Sequence, residues 1–305
     1  MDYREQFLVD PEKPLILADI DPGSTGDHDK RDKAEAETEA YRNEMEQRQF
    51  LLFADGRQSL LVVLQALDAA GKDGVIRHVF KAMNPQGTRV HGFKQPTPQE
   101  AAHDFLWRVH QHVPAKGEVV IFNRSHYEDV LVVRVHNLVP ESVWSERYDM
   151  INEFERLLTQ NGTKILKFFL HISPDEQLER FKDRLDDPTR HWKISESDYS
   201  EREFWPQYTQ AYEEALVRTS TSHAPWYVIP ANRKWFRNLA ISQIISNTLN
   251  EMNLNLPPTR VDIKDIRLRY HAAVKAADEL NGNGENNGKD GKRGKNGNGK
   301  KNKKD

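Results

Sequence analysis

Four apolar runs stand out along an otherwise polar chain. Leu60 to Leu67, Glu118–Phe122, Thr163–Ile172 and Trp226–Pro230 are rich in Leu, Val, Ile and aromatics and read as buried strands. Thr88–Phe93 reads as a shorter one. Between them the polar positions fall into helical patterns. Ala34, Ala36, Ala40, Met45 and Phe50 lie among many Glu, Lys and Arg. They predict a solvated helix over Asp32–Phe53 with a narrow apolar stripe, packed on the body or on a partner subunit. Asp55-Gly56 closes it. A helix is expected over about Gly74–Met83, stopped by Asn84-Pro85-Gln86-Gly87. Thr97, Pro98 and Glu100 form a capping box that opens a helix running to about His112. Further helices are expected over Tyr127–His136, Glu141–Gln160, Pro174–Leu185 and Trp235–Met252. The first 30 or so residues, rich in Asp, Pro and Gly, read as an irregular strap. Strands alternating with helices predict α/β layers around a mostly parallel sheet.

The first strand breaks into Asp68-Ala69-Ala70-Gly71-Lys72-Asp73-Gly74 and resumes as a helix. Strand, small-residue loop, Lys and helix describe a phosphate-binding loop, in which backbone N–H groups and a helix N-terminus face an anion. The chain departs twice from the full signature G-x-x-x-x-G-K-[ST]. Ala66 stands where the first Gly belongs, and Asp73 replaces the Ser or Thr that would ligand Mg²⁺. Lys72 can neutralise phosphate oxygens, and Asp68 can hold Mg²⁺ directly or through water. The plainer alternative is a strand-to-helix turn, with Asp68 as its cap and Lys72 in solvent.

Two more stretches bear on this loop. Asn123-Arg124-Ser125-His126-Tyr127-Glu128-Asp129 follows the second strand, and ligands of open α/β sheets bind outside the carboxyl ends of strands. These residues are therefore expected to face Lys72. Asn123 holds the place where an acidic Mg²⁺ ligand is usual, while Glu128 and Asp129 follow it. Asp129 can also be read as a helix-start charge. Farther on, Arg180, Lys182, Arg184, Arg190 and Lys193 crowd together with Asp186-Asp187-Pro188, Asp198 and Arg202-Glu203. They can close as a lid over a string of phosphates and exclude water, or they are a solvated helix face.

Composition narrows the class. The chain has 305 residues and no Cys, so no disulfide framework and no thiolate metal site exists. No apolar run approaches the roughly 20 residues of a bilayer span. No apolar segment follows Met1-Asp2-Tyr3-Arg4-Glu5, which predicts no signal peptide and a cytoplasmic protein. The net charge is −3, but residues 281–305 carry eight Lys or Arg against three Asp or Glu, which leaves −8 on the first 280. An acidic body argues against a general nucleic-acid binder. Any polyanion must therefore enter a local basic channel. The Gly, Asn and Lys tail has almost nothing to bury and is expected to be disordered.

Leu67 to Gly74, Phe93-Lys94-Gln95-Pro96-Thr97, Phe122-Asn123-Arg124-Ser125 and His191-Trp192-Lys193 resemble the motifs of family-2 polyphosphate kinases, in order and spacing, over roughly residues 1–257. The resemblance implies an α/β, P-loop kinase-like three-layer sandwich with a mostly parallel central sheet, similar to thymidylate kinases, and a helical lid. It implies phosphoryl transfer between inorganic polyphosphate and the adenine nucleotides AMP, ADP and ATP, with Mg²⁺ or Mn²⁺. The positions matching Asp68 and Lys72 serve metal and phosphate in that family, and the one matching Arg124 contacts phosphates. The polyphosphate is expected on Ala70, Gly71, Lys72, Asp73, Gly74, Arg124, Arg134, Arg184, Arg190 and Lys193. The nucleotide is expected on Lys94, Asn123 and Glu128, with the metal on Asp68 and Glu128. Family members with Asp at position 123 have a fuller acidic strand end. Glu128 stands where nucleoside-diphosphate-specific members carry Asn, and members with Glu resemble the subgroup that phosphorylates both AMP and ADP.

The division expected is a strap and helix over 1–58, a phosphotransferase domain over 59–258 with its lid at about 180–203, a helical extension over 259–280 and the tail. A homo-oligomer, dimer or tetramer, is expected, with neither nucleic acid nor membrane as partner. Two other readings stay open: an ATP-dependent kinase of a small metabolite, and a non-catalytic nucleotide-binding scaffold.

Overall fold

β1 (Ser59–Gln65) carries Leu and Val on both faces and is buried along its whole length, as suits the middle of a parallel sheet covered on two sides. The computed structural model describes residues 2–28 and 30–286, without the side chains of 280–286. The chain forms two units, Met1–Leu256 and Pro257–Asp305. In the first, the elements run α1 (Tyr3–Phe7), α2 (Arg31–Asp55), β1, α3 (Lys72–Val79), β2 (Thr88–Gly92), α4 (Pro98–Ala101), α5 (Trp107–His110), β3 (Val119–Asn123) and α6 (Val132–Val135). They continue with α7 (Glu141–Trp144), α8 (Arg147–Gln160), β4 (Thr163–His171), α9 (Pro174–Asp186), α10 (Ser197–Glu203), α11 (Trp205–Thr219), β5 (Trp226–Pro230) and α12 (Lys234–Glu251). The second unit contains α13 (Ile263–Asn286). The tail expected from 281 onward thus begins inside α13, and residues 287–305 lie outside the described residues.

The five strands are all parallel, in the order β2-β3-β1-β4-β5. Side chains alternate along a strand, and β1 shows what that does here. Leu60, Val62 and Leu64 join one core with Met45, Val75, Phe236 and Ile241 from α2, α3 and α12. Leu61 and Val63 join the other, with Tyr148 and Ile151 from α8 and Tyr212 and Leu216 from α11. The result is a three-layer sandwich. Leu64 pairs with Asn123 in register, so the segments after β1 and β3 leave the sheet side by side. No helix among the described residues is long and apolar enough to cross a membrane.

Several helices are shorter than the polar pattern suggests. The Thr97 capping box is present, but the expected helix to His112 breaks after Ala101. The Asp104 carboxylate accepts from the Leu106 N–H and its carbonyl from that of Trp107, which restarts the chain as α5. Tyr127–His136 divides into a 3₁₀ turn, His126–Asp129, and the single turn of α6. Ser125 caps the first by accepting from the Tyr127 N–H, and the Asp129 side chain turns inward to Arg147 instead of starting a helix. Glu141–Gln160 splits into α7 and α8 at Ser145-Glu146. The strap contains α1, and Tyr3 is buried between Phe7 and Phe236. Helix α11 was not expected at all.

Candidate active site

The loop between β1 and α3 is the centre of the candidate site. Ala69 has φ 61° and Gly71 has φ 106°. At Gly71 a side chain would be strained, since that φ favours glycine, and its Cβ would press on the Arg237 guanidinium. Gly74 is tight for the same reason, with Arg237 Nη2 3.1 Å from the place of a Cβ. Lys72 opens α3 and folds back over the loop, donating to the Ala66 carbonyl at 2.8 Å and to that of Leu67 at 3.5 Å. Burial pushes its ammonium below the usual lysine range, against the pull of Asp68.

Arg124, just past β3, also sits at positive φ (62°), held by its N–H on the Leu64 carbonyl (3.1 Å). From there its guanidinium donates to Asp68 Oδ1 at 2.8 Å and lies 3.9 Å from Glu128 Oε2. Gln65 Nε2 holds the other oxygen of Glu128 at 3.1 Å. Burial works against the Arg124 charge, but Glu128 and Asp68 outweigh it and raise its pKa. Asp68, Arg124 and Glu128 are therefore one constellation at the carboxyl edge of the sheet.

Asp73 and Asn123 belong to a second contact. Asn123 Nδ2 donates to Asp73 Oδ1 at 2.9 Å, and Lys193 Nζ donates to Asp73 Oδ2 at 2.8 Å. Burial pushes the Asp73 carboxyl up, yet Lys193 and Asn123 hold it below the usual range. The residue that displaces the metal-binding Ser or Thr thus ties the lid to the loop. The segment expected to act as a lid is the end of α9, a 3₁₀ segment over Pro188–Lys193, and α10. In it Arg184 lies 3.3 Å from Asp198 Oδ2, and the exposed Arg190 pairs with Asp187 at 2.8 Å.

Between lid and loop lies a cavity of about 200 Å³, lined by Asp68, Arg124, Glu128, Arg202, Tyr208 and Tyr212 among others. Its aromatic wall comes from α11 and, with Gln177 and Glu201, gave no signal in the sequence, whereas Asp198 and Arg202 belong to the stretch that reads as a lid. Two expected residues lie elsewhere. Arg134 donates to Glu214 Oε2 at 2.6 Å, stacks 4.4 Å over Trp144, and lines a separate cavity of about 510 Å³ with Gln207 and Gln210. Lys94 is exposed, and its carbonyl accepts from Arg108. Arg180, read as a lid base, is instead buried behind the loop. The Ala70 carbonyl points to it. Arg237 is buried beside them. Burial, and after it the charge of Arg180, brings its pKa down to about 9.

Among the described residues no three His, Cys, Asp or Glu side chains are grouped to hold a metal. Asp68 and Glu128 are the two carboxylates that share Arg124. Such a donor set fits Mg²⁺, which takes one or two carboxylates and completes its shell with water and substrate phosphates. It would not make an all-protein cage for a larger cation.

A sequence profile of the Polyphosphate kinase 2 family matches residues 28–257. The chain is 53% identical over 254 residues to the AMP/ADP-polyphosphate phosphotransferase of Meiothermus ruber, covering 83% of this chain and 95% of that protein. It is 46% identical over 223 residues to the ADP-polyphosphate phosphotransferase of Rhodopseudomonas palustris, covering 69% and 77%. It superposes on the crystal structure of polyphosphate kinase 2 from Arthrobacter aurescens with a TM-score of 0.86 at 42% identity, over 89% of this chain and 97% of that one.

Proposed function

The chain belongs to the polyphosphate kinase 2 family, and from that premise we propose that it moves the terminal phosphoryl group of inorganic polyphosphate onto ADP and AMP, reversibly and with Mg²⁺ or Mn²⁺. The observation that carries the reading is the constellation of Asp68, Arg124 and Glu128 beside Lys72, under a lid that reaches the loop through Lys193.

An oxygen of the acceptor's terminal phosphate forms the new P–O bond. The bond to the penultimate phosphate of the donor breaks, leaving a polyphosphate one unit shorter. The transferred group passes through a loose transition state, so the protein chiefly positions and neutralises it. Lys72 and Arg124 serve the donor's oxygens in this reading. The acceptor is already an anion, so no strong general base is needed. Asp68 and Glu128 would hold the metal ion, which supplies charge neutralisation between donor and acceptor phosphates. Contact between Lys193 and Asp73 closes the lid and keeps water from competing as acceptor. The cavity walled by Tyr208 and Tyr212 offers flat apolar surface for a nucleoside. Phe50 and Phe53, exposed on α2, are the surface we assign to a partner copy in a homo-oligomer.

The test is ATP formation followed with luciferase. Polyphosphate with ADP is expected to give ATP directly, and polyphosphate with AMP to give it after a lag as ADP accumulates. Absence of ATP from both, in a folded protein supplied with Mg²⁺, would refute the reading.

A further inference from the structure

Helix α9 grips the phosphate loop from behind. Gln177 and Arg180, three residues apart and so on one helix face, are 3% and 6% exposed. Gln177 Nε2 donates to the Asp68 carbonyl at 2.8 Å. Arg180 Nη1 donates to the carbonyls of Ala69 at 2.9 Å and Ala70 at 2.7 Å. Three successive loop carbonyls thus end on donors from one helix. The guanidinium is itself fixed, by Glu176 Oε1 at 2.8 Å and by the Ala231 carbonyl at 2.5 Å beyond β5.

The consequence follows from peptide geometry. In a planar trans peptide the C=O of one residue and the N–H of the next point in opposite directions. Drawing the carbonyls of 68 and 70 toward α9 turns the N–H groups of Ala69 and Gly71 to the other side of the loop, while the Ala70 N–H between them donates to the Leu67 carbonyl at 3.3 Å. Preorganised N–H donors of this kind are what a phosphate-binding nest requires. Ala69 at φ 61° needs such a restraint, because a side chain in the left-handed region persists only where its surroundings over-determine it. The other end of Gln177 faces the lid, where its Oε1 accepts from Arg202 Nη1 at 2.8 Å. Arg202 lies on α10 and lines the same cavity as Asp68. A relay therefore runs from lid helix through α9 to the loop.

We propose that Gln177 and Arg180 are positioning residues that set the phosphate loop for its donor, and that the chain Arg202–Gln177–Asp68 ties this setting to the closed lid. The proposal rests on the donor reading given above. Neither residue touches the reacting atoms. Their effect is on donor affinity and on the link between donor and acceptor, whereas ordinary buried polar residues would affect stability alone.

Equilibrium binding without metal or turnover separates the two. Polyphosphate, ATP and AMP are titrated separately by calorimetry into the full-length wild type and variants, with melting temperatures recorded unliganded. Arg180→Met is expected to weaken polyphosphate and ATP binding at least tenfold, with AMP within twofold. Arg180→Lys is expected to fall between, since one ammonium cannot serve the loop and the end of β5 together. Gln177→Glu still accepts from Arg202 but repels the Asp68 carbonyl, so it too is expected to lose donor affinity. Adding Arg202→Met to Gln177→Leu is expected to cost less than the two single losses combined, as members of one relay are non-additive.

Wild-type donor affinity in Arg180→Met or Gln177→Glu at unchanged melting temperature overturns the proposal, as does equal loss for donor and AMP. If Arg180→Met does not fold, the Gln177 variants decide alone. A wild type that binds ATP through this loop but neither binds polyphosphate nor makes ATP from it removes the functional reading. The ATP titrations then still judge the positioning role.

Discussion

Lys72 and Asp68 are each held in place by the loop and its neighbours. Lys72 is drawn onto its own loop by two carbonyls, and Asp68 is held by Arg124 at 2.8 Å. Replacing Lys72 by Met or Asp68 by Asn is expected to lower turnover by about 10²–10³-fold, the usual cost of losing one preorganised charged contact. Circular dichroism is expected to stay the same. Near-normal turnover in either variant would mean that the site has been misassigned.

Glu128 poses a finer question, which acceptor the site serves. It sits in the cavity beside Arg124, where the proposed reaction brings the acceptor's terminal phosphate to the donor. With AMP the α-phosphate has to reach the point that the β-phosphate of ADP reaches, so a hydrated cation can fill the space left over. A carboxylate can orient that cation and an amide of similar reach cannot. Glu128→Asn is therefore expected to cut catalytic efficiency with AMP far more than with ADP, and equal loss for both would reject the role. These residues were legible because the loop and the end of β3 have recognisable spacing. Arg134 was not, because only the phase of a one-turn helix decides that it faces Glu214 and Trp144.

At the scale of elements, the strands were readable and the helix ends were not. β1 and β4 are apolar runs whose burial on both faces leaves little choice of structure. Two of the stretches read as long helices break where a side chain caps its own backbone, at Asp104 and Ser125, and after Ser125 Asp129 also finds a tertiary partner in Arg147 that the sequence does not show. Helix α11 was missed although Tyr208, Ala211, Tyr212, Ala215, Leu216 and Thr219 are buried at helical spacing. Alanine, tyrosine and threonine among Gln and Glu give too little contrast. Arg180 was misplaced for the same reason. A charge density suggests a lid, and only packing shows a buried guanidinium bonded to carbonyls.

The turn after β3 shows how such a partner affects stability. Asp129 is anchored to α8, where Arg147 Nη1 donates to its carbonyl at 2.9 Å and to Oδ1 at 3.2 Å. Burial raises its pKa from 3.8 to about 6, although Arg147 and Arg108 oppose the shift. The folded value lies above the unfolded one, so burial favours the neutral acid, and the stability this contributes is complete below about pH 4 and lost as pH rises through about 6. It amounts to at most on the order of 3 kcal/mol. Asp129→Asn does not titrate and keeps an oxygen for Arg147. Its melting temperature is thus expected to gain on the wild type as pH rises from 4 to 7, and a constant difference over that range would deny the shift.

The whole molecule must bring a polyanion to an acidic body. The chain carries −3 in all, while residues 281–305 alone carry +5. Among the described residues the buried hydrophobic ones run from Tyr3 to Leu254, and residues 255–279 are exposed. Stability and long-range attraction are therefore assigned to different parts of the sequence. Cutting the chain after Leu256 is expected to leave the melting temperature within about 2 °C, less than a loss of 1 kcal/mol would produce. Turnover on short polyphosphate is expected to be unchanged, since every residue of the constellation at Asp68 remains. Capture of long polyphosphate is expected to weaken at low salt, where the basic segment attracts it from a distance. The difference is expected to vanish near physiological ionic strength, where the screening length falls to about 8 Å. KM for long and short chains, measured for both forms across a salt series, reads this directly. A fall of several degrees in melting temperature would show that residues beyond 256 contribute to the fold. A KM unaffected at low salt would remove the tail's role in attraction.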